Sequence, residues 1–193
     1  ADTFFNLGTQ SPLLRLTGEA TCAAWVLTRT IGTPSRFLFC QAAAAGTTGK
    51  FNCVINTTGG RMTLNWGDSA IWTGAVPLRA NTWYHLTWRR DGVTGAWTAA
   101  GFINGVLDSS AATATNPGTS TAAWAIGRRG AQATGEWSGL IESVMVWNRA
   151  LSNDEIADVS KKSYQMLRAS RARLYVFQVQ SAGTTLTPPA VSA

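Results

Sequence analysis

From Gly139 to Asn148 the chain alternates. Leu140, Glu142, Val144, Val146 and Asn148 fall on one face of an extended segment, and Ile141, Ser143, Met145 and Trp147 on the other. Both faces are mainly apolar, which predicts a strand largely shielded from water. The pattern breaks at Asn148. Glu155 stands three residues after Ser152, the spacing at which a serine hydroxyl and a carboxylate cap each other's backbone N–H groups, so a short helix is expected near residues 153-160. Asp154 and Glu155 suit the positive end of its dipole, and Ile156 and Val159 give it a small apolar stripe.

The rest of the chain reads as further short strands separated by turns. Asn104 and Gly105 both tolerate positive φ and suit a two-residue type I′ turn between Phe102-Ile103 and Val106-Leu107. RFLFC and FNCVI predict neighbouring strands around the loop AAAAGTTGK. Arg90-Asp91-Gly92 reads as a strand end running into a turn. RLYVFQVQSA, with Leu174, Val176 and Val179, predicts a final strand, and GTTLTPPAVSA an irregular tail, since Pro188 and Pro189 cannot donate ladder hydrogen bonds. Such a tail suits an exposed arm or a strap across a neighbour.

These residues carry a resemblance. GLIESVMVWNRALSNDEI is similar to the C-terminal signature of laminin-G-like, concanavalin A-like jelly-roll domains of bacterial and phage proteins, roughly G-x-I-D-E-V-R-I-Y-N-R-A-L-S-x-x-E-I. Gly139, Ile141, Val144, Asn148, Arg149, Ala150, Leu151, Ser152, Glu155 and Ile156 match directly, and Glu142, Val146 and Trp147 are conservative replacements. NTWYHLTWRRDG, GFINGVL and AWAIGRR resemble earlier segments of the same family in the same order, so the likeness covers about Glu19 to Ser160. The resemblance implies an all-β fold, a two-sheet antiparallel concanavalin A-like jelly-roll sandwich with one short helix. The expected organisation is a single domain over residues 1-180, with its core at 19-160 and a basic segment and last strand at 161-180, followed by an irregular tail at 181-193. SYQMLRASRARLYVF also resembles the ends of laminin-G-like proteins encoded in phages and prophages.

Composition narrows the classes. With 45% hydrophobic and 13% charged residues the chain is not of the disordered type, and no apolar run approaches the ~20 residues that span a bilayer. The start ADTFF contains no signal-peptide core; it is compatible with a removed signal and equally with removal of an initiator Met. Cys22, Cys40 and Cys53 form neither a CxxC pair nor a full disulfide framework, and are expected as small buried thiols; Cys40 and Cys53 could face each other if oxidised. The net charge of +6 is concentrated in Lys161, Lys162, Arg168, Arg171 and Arg173. Nucleic acid is disfavoured as its partner because no recognised binding module accompanies it, and a solvated helix end or docking on an acidic protein surface is expected instead.

Candidate chemistry is sparse. Retaining glucanases need two carboxylates about 5 Å apart, and with ten acidic residues and no E-x-D-x-E arrangement the chain reads as non-enzymatic. His85, the lone histidine, matches the family's strand histidine and is expected to be structural. No cofactor is expected; calcium is not favoured, because Asp68, Asp91 and Asp108 are separated by loops and strands. Sugar binding uses aromatic platforms flanked by polar groups, and Trp66, Asp68, Trp72 and Trp97 are the candidates. Core packing outweighs a sugar contact for any single tryptophan, and Trp25, Trp83, Trp88 and Trp147 lie in expected strands.

Where relatives carry charges on the outer face of the signature strand, this chain has Ser143 and Met145. That loss predicts a cover, either the chain's own C-terminus or a partner. Met145, Trp147, Arg168, Arg171 and Arg173 are the expected assembly contacts. The reading that follows is a non-enzymatic structural module of a phage virion, decorating the capsid or attached to the tail. It would sit on the virion surface in many copies, against a major capsid or tail protein. The alternative is a carbohydrate-binding adhesion module, secreted or at a cell surface, with a cell-surface glycan as partner.

Overall fold

The computed structural model describes residues 5–6, 16, 18–41, 51–66, 69–115, 123–129 and 135–161. All fall in the first of two units into which the chain divides, Ala1–Ser163 and Tyr164–Ala193. Asp68, Arg168, Arg171, Arg173, the strand expected around 174–179 and the tail at 181–193 lie outside the described residues.

Two antiparallel sheets face each other. One has six strands, in the order β1 (Phe5–Asn6), β10 (Trp124–Ile126), β3 (Arg36–Gln41), β4 (Asn52–Ile55), β5 (Arg61–Trp66) and β6 (Ser69–Pro77). The other has five, in the order β11 (Gly139–Trp147), β2 (Ala20–Thr28), β7 (Thr82–Val93), β8 (Ala96–Ile103) and β9 (Val106–Thr113). A single described helix, α1 (Asn153–Lys161), follows the last strand. Among the described residues no helix is long and apolar enough to cross a membrane.

The core forms where the inward positions of the two sheets meet. Cys22, Ala24 and Val26 of β2 and Leu86 and Trp88 of β7 oppose Leu38, Phe39, Cys53, Ile55, Met62 and Leu64 of the six-stranded sheet. Indoles also join the layers by hydrogen bonds: Trp88 Nε1 donates to Thr63 O at 3.0 Å, and Trp72 Nε1 to Ser109 Oγ at 3.2 Å. Burying an indole's large apolar area while pairing its one donor adds hydrophobic stabilisation without an unsatisfied group.

The hairpin turn forms as expected. Asn104 and Gly105 have φ of 52° and 81°, and Asn104 Oδ1 accepts from His85 N at 2.9 Å. The strand end expected at Arg90-Asp91-Gly92 does not form there. β7 continues to Val93 and turns at Thr94-Gly95, because Gly92 takes a φ of 108° within the strand, where a Cβ would stand 2.4 Å from Ala96 O. The cysteines are small buried thiols as expected, and Cys40 and Cys53 turn to opposite sides of the sheet. Cys40 packs with Phe37 and Val54 on the outer side of the sheet, whereas Cys53 points into the core with Cys22. All three are buried free thiols, and burial first, then Cys22, pushes the Cys53 thiol well above its usual range.

The capped helix forms at Asn153–Lys161 as its spacing predicts. Ser152 Oγ accepts from Glu155 N at 3.2 Å and Glu155 Oε2 accepts from Ser152 N at 2.8 Å. Arg149 forms a two-pronged pair with the same carboxylate at 2.8 and 2.6 Å, holding Glu155 down to about 2. Thr21 Oγ1 donates to Arg149 O and accepts from Leu151 N, tying the connection to β2. Leu151 and Ile156 then pack on Ala100, Phe102 and Trp147. The family-like run NRALSNDEI is therefore a fastening of helix to sheet.

Candidate functional site

The outer face of the five-stranded sheet follows from strand alternation and register. On β2 the residues turned away from the core are Ala23, Trp25 and Leu27, and on β7 they are Trp83, His85, Thr87 and Arg89. On β11 a bulge between Ile141 and Ser143 changes the face of everything after it. Ile141, expected beside Ser143 and Met145, instead packs against the core with Val144 and Val146, and Leu140 takes its place outside.

Helix α1 covers one end of this face. Arg89 Nη1 donates to Leu151 O at 3.0 Å and to Asn153 Oδ1 at 2.8 Å, and its guanidinium lies 5.0 Å from the Phe102 ring centroid. Trp147 is half-buried against the helix cluster, so its cover is this helix, and Met145 is 6% exposed.

The other end of the face is open. Leu140, Leu27 and Trp83 pair across three adjacent strands. Leu140 is 48% and Trp83 42% exposed, with Leu27 half-buried between them. The next row is Ser143, Trp25 and His85. His85 is fully buried, and its ring meets Trp25 edge to face at a centroid distance of 5.5 Å. Neither His85 nitrogen, nor Trp25 Nε1, nor Ser143 Oγ has a hydrogen-bond partner among the described residues. Burial disfavours the imidazolium and lowers the His85 pKa to about 4, so the ring is neutral at neutral pH. An exposed apolar and aromatic row thus lies directly beside a row of polar groups without partners.

Two of the tryptophans singled out in the sequence, Trp72 and Trp97, are placed otherwise. Trp72 is 4% exposed in the core, its ring lying against Gly101, where a Cβ would fall 2.0 Å from it. Trp97 belongs to strand β8 rather than a loop, is 3% exposed, and flanks the Arg90 guanidinium at 5.3 Å. Arg90 is itself buried, donating to Leu16 O and Gly18 O, and burial lowers its pKa to about 10. Neither indole offers a ring face to a sugar. Trp66 ends β5 and pairs with Ser69. Asp108 Oδ2 and Oδ1 accept from Ala75 N and Val76 N at 3.0 and 2.9 Å, which ties β9 to β6, and Asp91 sits within β7.

The other outer face, that of the six-stranded sheet, carries Asn52, Thr63 and Asn65 with Phe37, Cys40 and Val54. Among its described residues the central ones, Asn52, Val54 and Thr63, are buried, Asn65 is half-buried, and Arg61 and Thr73 are exposed.

Two facing antiparallel sheets with a short helix fastened behind the last strand define a jelly-roll sandwich of the lectin type. Over residues 3–157 the chain matches the family described as the concanavalin A-like lectin/glucanases superfamily, and it belongs to that superfamily. Among solved structures, it is similar to domain 4 of AbnA, a GH43 extracellular arabinanase from Geobacillus stearothermophilus, in complex with arabinotriose. That likeness has 22% identity and a TM-score of 0.63, over 80% of this chain and 71% of that one. A putative carbohydrate binding protein from Bacteroides ovatus is 18% identical, with a TM-score of 0.63 over 81% of this chain and 45% of that one. The CBM40 of the Ruminococcus gnavus IT-sialidase, bound to α2,3-sialyllactose, is 16% identical, with a TM-score of 0.66 over 82% of this chain and 92% of that one. At these identities the likeness is one of fold. No curated protein sequence matches the chain.

Proposed function

We propose that the chain is a non-catalytic carbohydrate-binding module whose contact face is the outer side of the five-stranded sheet beyond α1. The observation that carries this reading is the exposed row Leu140, Leu27 and Trp83 lying beside the unpartnered Trp25, His85 and Ser143. A sugar ring has an apolar C–H face that stacks on indole and a rim of hydroxyls that needs donors and acceptors. The similar structures named for arabinotriose, sialyllactose and carbohydrate binding support the same class of function. A glycan array probed with the full chain should give a reproducible set of bound sugars, and Trp83→Ala should remove them while leaving the melting temperature within a few degrees. Retention of all binding by that variant would place the contact elsewhere. Trp72→Ala is not a clean probe, because it opens a cavity in the core.

A second reading keeps the same body as an exposed structural module of a phage virion, on capsid or tail. The uncharged outer face of β11, with Met145 buried and Leu140 exposed, favours it, since such faces also suit protein neighbours. Recovery of the chain as a stoichiometric component of purified virions would support this reading, and recovery only as a free, secreted monomer would sink it.

A further inference from the structure

Charge is unevenly shared between the two ends of the sandwich. At one end β2 and β6 finish and β5, β7 and β11 begin, and there Arg29, Arg61 and Arg79 are exposed. The hydrogen bonds these residues make among the described residues come from their backbone N–H groups, to Ser138 O, Asn56 Oδ1 and Tyr84 OH, and none of the three guanidinium groups has a partner there. The connections that carry them are stitched together: Asn81 N donates to Thr28 O at 2.7 Å and Leu78 N to Gly60 O at 3.0 Å, which sets Arg79 between the connections bearing Arg29 and Arg61. The described carboxylates nearest this end are Glu136, half-buried, Glu142, exposed at the β11 bulge, and Asp108, which is turned onto Ala75 N and Val76 N. Glu19, Asp91, Asp154 and Glu155 lie at the opposite end, around the finish of β7 and the start of α1, and Asp158 faces Lys161 along the helix.

The same end carries the exposed apolar row. Leu140, Leu27 and Trp83 pair across β11, β2 and β7, and Arg29 is the next outward position beyond Leu27, just past the finish of β2. An open indole and an open leucine thus stand beside guanidinium groups that no described carboxylate neutralises. That combination matches the surface of an anionic bilayer. An indole settles at the level of the lipid headgroups, aliphatic side chains bury apolar area at the acyl boundary, and cations near the surface are held by the negative headgroups. An acidic protein would have to place carboxylates in register with three cations on three separate connections, whereas lipids diffuse to each of them. The lengthwise separation of charge also turns the arginine end toward a negative plane during approach.

We infer that this end of the sandwich docks on an anionic lipid bilayer, with Trp83, Leu27 and Leu140 at headgroup level and Arg29, Arg61 and Arg79 on the negative headgroups. The inference goes beyond the carbohydrate reading and does not rest on it. The two contacts share Trp83, but the lipid contact draws on three arginines outside the proposed sugar rows. Because backbone hydrogen bonds already hold the connections, docking orders side chains and leaves the backbone as it is.

The test is co-flotation of the full chain with vesicles of phosphatidylcholine alone and of equal parts phosphatidylcholine and phosphatidylserine, neither of which carries a sugar. The chain is expected to float with the mixed vesicles at low salt, to be released as salt is raised, and to leave the neutral vesicles alone. Arg29→Gln, Arg61→Gln and Arg79→Gln should each weaken the binding about fivefold, and the triple variant about a hundredfold, at an unchanged melting temperature. Brominated acyl chains should quench tryptophan fluorescence in the natural chain, and Trp83→Phe should lose that quenching. Equal binding to neutral vesicles, binding that the triple arginine variant retains, quenching that persists in Trp83→Phe, or no binding to either vesicle would overturn the inference. Self-association that the triple variant abolishes, without vesicle binding, would give this end to a second copy of the chain and overturn it as well. Flotation and the glycan array are separate readouts, so this inference and the carbohydrate reading can fail independently.

Discussion

His85 sits at a family-like strand position, yet neither of its nitrogens meets a partner among the described residues. Its burial has a measurable consequence for stability. The unfolded chain takes up a proton near the ordinary value of 6.5, whereas the folded chain does so only at about 4. Between those values the unfolded state holds more protons, so stability is complete above about 6.5 and falls as pH drops toward 4. At about 1.4 kcal/mol per pH unit the loss is of the order of 3 kcal/mol. Glu155, held down to about 2 by its hydrogen bonds to Arg149 and Ser152, contributes stability that is lost below its ordinary value of 4.5, in a separate window. Chemical denaturation at a series of pH values should show the first slope in the natural chain and lose it in His85→Phe. An unchanged slope in that variant would assign the acid sensitivity to other groups. The tryptophans mark the limit of sequence reading at this scale. WYHLTW alternates aromatic residues on both faces, so nothing local says that Trp88 is core and Trp83 exposed. Trp72 is drawn inward by Gly101, some thirty residues away on the facing sheet, and Trp97 by a buried arginine. The first cause is remote in sequence, and the second lies across the β7–β8 hairpin and depends on the burial of Arg90.

Elements were more legible than residues, because their signals are short-range. The Ser152–Glu155 spacing located α1, and Asn104-Gly105 located the β8–β9 turn, each through a backbone requirement met by adjacent residues. Ser152→Ala removes the hydroxyl that accepts from Glu155 N and should cost about 1 kcal/mol. The measurement is a denaturation midpoint, and because α1 packs on Phe102 and Trp147 the loss should appear in the global transition. A change of less than a few tenths would mean that the cap carries little of the docking energy. The bulge in β11 was not legible. Strict alternation put Ile141 outside, and one extra residue at Glu142 exchanged it with Leu140, creating the end of the exposed row. Gly92 misled in a similar way, since a glycine that usually breaks a strand here lets β7 run on past it.

For the whole molecule, the sandwich uses its interior for aromatic bracing, and the proposed function assigns recognition to one end of an outer face. The helix that the family-like signature fastens behind β11 occupies the other end of that face, so the exposed row lies at the end away from α1. Family membership was legible because the signature encodes this fastening; the exposed row proposed as the contact face was not, because it depends on register across three strands. The central claim is that sugar binds at Leu140, Leu27 and Trp83 with Ser143, Trp25 and His85 behind them. The most direct measurement is to titrate the isotopically labelled full chain with the sugar it binds most tightly on the glycan array and follow backbone and indole N–H resonances. The account predicts that the largest shifts fall on Leu27, Trp83, His85, Leu140 and Ser143 and on the Trp25 and Trp83 indoles. Shifts concentrated instead around Asn65 and Thr73, on the outer face of the six-stranded sheet, would contradict it.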